Sequence, residues 1–112
     1  MNEFIKYLDG MIEDGRAKIS RLAAEGRKDD SDFAKVRSNI YEVCRTVTLA
    51  LVNRPGAGRE AVKAQFTRFD SAWGAALEKA KAHDDIAAAA VEEIKLAALS
   101  DVVSHFEEVN EA

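Results

Sequence analysis

Few side chains in this sequence have an obvious capacity for metal or acid–base chemistry. His83 and His105 are its two histidines, and Cys44 is its one cysteine. Asp101, His105 and Glu108 follow steps of four and three, so on a helix they share a face and carry donor types that a metal ion accepts. A carboxylate-bridged two-metal centre in a bundle needs a Glu-x-x-His pair on each of two helices, and the chain contains none. The histidines also stand at opposite ends of one helical block, about 30 Å apart by the rise per residue, too far to share an ion. The expectation is no catalytic residue, no cofactor and no metal. Cys44 falls in mid-helix beside Arg45 with no partnering histidine, which fits a small core residue better than an activated nucleophile.

The segment Arg54-Pro55-Gly56-Ala57-Gly58-Arg59 is the other chemically suggestive stretch. Two glycines run into a helix N-terminus between two arginines, and the free amides there favour anions. Arg54, Gly56, Gly58 and Arg59 therefore form a candidate weak anion site. The segment lacks the lysine and hydroxyl of a nucleotide-binding loop and follows a helix rather than a strand. It also has a structural use. An antiparallel layout puts it beside the C-terminal end of the last helix, where Glu107, Glu108 and Glu111 oppose the helix dipole and Arg54 and Arg59 would offset them.

The elements that must position these residues are four amphipathic blocks separated by short breaks. Apolar residues recur every three or four positions, the period of a helix burying one stripe. The pattern predicts helices over about 3–25, 31–53, 59–82 and 85–109. Gly26 suits a left-handed C-terminal cap, Asp30 or Ser31 can cap the second helix, Pro55 ends it, and Asp84 or Asp85 caps the fourth. The seam of the second block reads Phe33, Val36, Ile40, Val43, Val47, Ala50. The stretch 47–52 is rich in β-branched residues, but a lone strand would have no partner. Short connections make successive helices antiparallel neighbours, so the fold class is an all-α, up-down-up-down four-helix bundle, one domain over 1–112. Blocks one and three then lie on opposite corners, and Trp73 is expected in the central layer in space left open by Gly15.

Charge is unevenly distributed. The net charge is -4, which disfavours general nucleic-acid binding. Residues 83–112 carry eight acids and one base, Lys95, whereas the second and third blocks are each net cationic. Attraction between an acidic helix and two basic neighbours accounts for this; an acidic surface offered to a basic partner is the alternative. No run of apolar residues is long enough to span a bilayer, and the opening residues lack the pattern of a signal peptide. With a lone cysteine, the expected location is cytoplasmic.

Surplus apolar surface is the strongest functional signal. Leu49 and Val52 fall beside or behind the seam of block two, and Leu96, Val103 and Phe106 form a second stripe on block four. Such residues mark either a contact with another chain or wider burial within the bundle itself, and the first reading is the one taken here. The expectation is a non-catalytic helical bundle acting through protein–protein contacts, with these five as candidate interface residues, and self-associating as a homodimer. The alternative is a small acidic regulatory or inhibitory protein that binds a basic partner; a ligand-binding bundle or enzyme ranks behind both.

Overall fold

The computed structural model describes residues 1–109. It contains helices α1 (Asn2–Ala24), α2 (Lys28–Val52), α3 (Arg59–Ala82) and α4 (Ile86–Glu108), packed as an up-down bundle. The breaks expected from sequence end the helices by local chemistry. Gly26 adopts φ +74°, the Arg27 amide donates to Leu22 O at 2.9 Å and the Gly26 amide to Ala23 O at 3.1 Å. This double return of the chain satisfies the last carbonyls of α1. The same bonding recurs after α3, where Asp85 N donates to Ala80 O and Asp84 N to Lys81 O, and Asp84 carries the positive φ of 53°. Asp85, not Asp84, then caps α4, its Oδ1 accepting from the Ala88 amide at 3.0 Å.

The second helix starts earlier than its capping residues suggest. It begins at Lys28 with no side-chain cap, and Ser31 is buried within the first turns, its hydroxyl donating to Ile19 O of α1 at 3.3 Å. The β-branched stretch of residues 47–52 is helical.

The core lies toward one end of the bundle. Phe4, Leu8 and Ile12 from the first half of α1 pack with Ile40, Tyr41 and Cys44 of α2, Val62 and Phe66 of α3, and Ala98, Leu99, Val102 and Phe106 of α4. Rings of Phe4, Phe66 and Phe106 join three helices there, with centroids 5.2 to 6.3 Å apart. Toward the other end fewer residues are buried: Leu22, Ser31 and Ala80 are, whereas Phe33 and Ile86 are exposed. The radius of gyration is 15.2 Å, against about 13 Å for a compact chain of this length. The molecule measures 44 × 35 × 21 Å, a flattened bundle.

The expected pairing of Gly15 with Trp73 is overturned. α2 and α4 approach closely across one diagonal, where the small residues Cys44 and Ala98 are fully buried, and α1 and α3 have no close backbone approach. Small side chains permit that short diagonal, and closing it drives the other two corners apart. Gly15 instead lies against Ser38 of α2. Trp73 is half-buried, stacked on Phe69 with centroids 4.9 Å apart and planes 5° from parallel, and Lys95 Nζ of α4 stands 4.9 Å over its ring.

Candidate interaction surface

The histidine face does not assemble as a ligand set. Asp101 is held by Arg37 of α2, whose Nη2 donates to Asp101 Oδ2 at 2.8 Å and to the Tyr41 hydroxyl at 2.8 Å. His105 stacks on Tyr7 of α1 at 3.6 Å between centroids. Burial raises the Tyr7 and Tyr41 phenols above their ordinary range, so both stay neutral, although the Arg37 charge pulls in the opposite direction. Among the described residues no three His, Cys, Asp or Glu side chains converge on one point. Cys44 is fully buried, and its desolvation pushes the thiol up to about 12, the reverse of nucleophile activation.

The arginines of the Arg54–Arg59 turn separate. Gly56 and Gly58 take φ of +77° and +79°. Arg59 turns inward: its Nη2 donates to Phe106 O at 2.6 Å, and its guanidinium lies 4.1 Å over the Phe106 ring. It thereby caps an orphan carbonyl at the end of α4, the expected use in a more specific form. Arg54 is exposed and, among the described residues, makes no ion pair. Glu107 pairs with Lys63 at 3.4 Å, and Glu111 lies outside the described residues. With Arg37–Asp101, Lys63–Glu107 and Lys95–Glu92 formed, much of the acidity of α4 is matched inside the chain.

The five candidate interface residues divide. Phe106 is 1% exposed in the aromatic core and is unavailable to a second chain. Its place in the apolar pattern of α4 suited either role, and the ring contacts to Phe4 and Phe66 decide for the core. Leu49, Val52, Leu96 and Val103 are half-exposed. Val103 lines a cleft of about 340 Å³ between α3 and α4, floored by Phe66 and Leu99 and edged by Lys63 and Asp70. The register fixed by Asp9–Arg45 and Gly15–Ser38 sets Leu49 and Val52 beside the first turns of α1.

The most exposed apolar stripe lies elsewhere, on α2. Toward α1 and α4 this helix turns Ser31, Ser38, Tyr41, Cys44 and Thr48, all buried. The Thr48 hydroxyl donates back to Cys44 O at 2.7 Å, which lets a polar residue sit in the core at little cost. The strict three-and-four seam Phe33, Val36, Ile40, Val43, Val47, Ala50 is therefore rotated off the core. Ile40 alone of the six is buried; Val36, Val43 and Val47 are half-exposed, and Phe33 and Ala50 are exposed. The sequence displayed this seam, but hydroxyl residues read as outward-facing, which concealed that the seam is not the side turned to the core.

Among the described residues no helix is long and apolar enough to cross a membrane. Compared with known protein families, curated proteins and solved structures, the chain matches none.

Proposed function

We propose that this chain is a non-catalytic helical-bundle protein that works through protein–protein contacts and associates with itself. The observation that carries the reading is the seam of α2, with its regular spacing and its position off the core. Apolar residues repeating at three and four over the length of a helix are the pattern that packs one helix against another. Here Ser31, Ser38, Tyr41, Cys44 and Thr48 take the core side of α2, and apart from Ile40 the stripe is left exposed or half-exposed. The excess radius of gyration accords with a subunit shaped to be completed by contact. Cytoplasmic placement is part of the proposal and is supported by the single reduced, buried thiol.

Light scattering coupled to size exclusion, over a dilution series from hundreds of micromolar down to sub-micromolar, tests the proposal. A dimer mass that gives way to monomer on dilution is expected. A monomer at every concentration overturns self-association.

A further inference from the structure

The stripe on α2 reads the same in both directions as a set of complementary pairs, and its ends are charged. Extending the alternation by one step each way adds Asp29 before Phe33 and Arg54 after Ala50, steps of four in both cases. Both are exposed, and neither forms an ion pair among the described residues, although neighbours such as Arg27, Asp30, Lys28 and Asp32 are paired. Arg54 lies in the turn just past the end of α2, and the length of that helix, about 37 Å, separates it from Asp29, so they cannot meet within one chain.

We infer that α2 pairs antiparallel with α2 of a second copy, about a two-fold axis passing between Tyr41 and Glu42. This rests on the self-association proposed above and specifies its geometry. With that axis the exposed and half-exposed members of the stripe find complements in one register. Asp29 faces Arg54 of the second copy, Phe33 faces Ala50 and Val36 faces Val47; the two Val43 side chains flank the axis, and Ile40 stays beneath it in its own core. Each layer joins one position of the heptad to the other, the layer composition of an antiparallel helix pair. The largest side chain meets the smallest, the β-branched residues meet one another, and each charged end meets its opposite, all repeated by symmetry. A parallel pairing would set Asp29 against Asp29, Arg54 against Arg54 and Phe33 against Phe33. The flank of the stripe away from the core is Asp32, Asn39, Thr46 and Asn53. The same axis brings Asp32 within about two residues of the level of Asn53, and Asn39 likewise of Thr46, a polar rim without like-charge opposition.

Charge exchange and cross-linking test the geometry. Asp29→Arg and Arg54→Asp should each weaken the dimer about tenfold at low salt, and the double variant should recover most of the loss. In a Cys44→Ala background, the double variant Asp29→Cys/Arg54→Cys should oxidise to a covalent dimer, while neither single cysteine variant should. Both sites are exposed, so the variants keep the fold. A wild-type chain that is monomeric throughout overturns self-association and this pairing together. A wild-type dimer whose charge exchange fails to recover, or in which Asp29→Cys alone cross-links, overturns the antiparallel pairing and leaves self-association standing.

Discussion

Gly15 of α1 meets Ser38 of α2 so closely that a Cβ at position 15 would stand 2.9 Å from Ser38 Oγ and 3.2 Å from its Cβ. Gly10, about one and a half turns earlier on the same helix, has open space around it. Both glycines lower the helix propensity of α1 by about 1 kcal/mol relative to alanine. Gly10→Ala should therefore raise the melting temperature by about 3–5 °C. Gly15→Ala should forfeit that gain and melt below wild type, because Ser38 is buried and its backbone is held in α2. Equal gains at the two positions would show that the α1–α2 contact has slack.

Arg59 closes the far end of α4 by two interactions at once, a hydrogen bond to Phe106 O and a cation over the Phe106 ring. Arg59→Gln should cost about 1–2 kcal/mol. Arg68→Gln, on the exposed side of α3, should stay within about 0.5 kcal/mol of wild type. Arg59→Lys restores charge but not the planar fork, and should recover less than half of the loss. Thermal melts of the three variants decide it, and indistinguishable curves would remove the capping role.

The α3–α4 turn offers a test in both directions. Asp84 holds φ of 53°, a conformation glycine enters without steric cost. Asp84→Gly should gain about 0.5 kcal/mol, and Asp84→Val should lose at least about 1 kcal/mol. Asp85→Ala removes the cap on the Ala88 amide and should lose about 1 kcal/mol. Urea midpoints report all three, and a stabilising valine at 84 would contradict the turn geometry.

Alkaline pH should weaken the fold through groups that are neutral inside it. The Cys44 thiol is pushed up from 9.0 to about 12, and the Tyr7 and Tyr41 phenols are raised above 10.0. Unfolded, these groups ionise first, so their contribution is complete below about pH 9 and is lost as pH rises through the folded values. Urea midpoints should be level from about pH 7 to 9 and decline above. Cys44→Ala should postpone the onset of that decline toward pH 10, and an unchanged onset would assign it to the tyrosines alone. A thiol reagent at neutral pH should label native Cys44 only as fast as the chain opens.

The helices and their ends were legible because local chemistry writes them. Gly26, Pro55 and the Asp84-Asp85 pair each restrict the backbone within a residue or two, and the structure ends its helices there. Which face of α2 turns inward was not legible. Ser38 and Thr48 are buried because one fits beside a glycine and the other satisfies its hydroxyl on its own helix, and neither condition shows in an apolar pattern. Trp73 was misplaced for a related reason. Its size suggests a central position, but α2 and α4 close the short diagonal with small buried residues, Cys44 and Ala98 among them, and the tryptophan is left half-buried on Phe69 under Lys95 of α4. The Arg37–Tyr41–Asp101 cluster joins residues sixty and more positions apart, and no local spacing signals such a contact.

The concentration of aromatic and aliphatic packing toward one end has a consequence for how the molecule breathes. Amide protons in the first half of α1, the second half of α2 and the second half of α4 sit on the Phe4–Phe66–Phe106 packing, and their exchange with deuterated solvent requires the whole bundle to come apart. Those around the Asp84-Asp85 turn sit on few buried contacts and can exchange through local fraying. Opening should therefore begin at the Asp84-Asp85 end, while the aromatic end holds until the whole bundle unfolds.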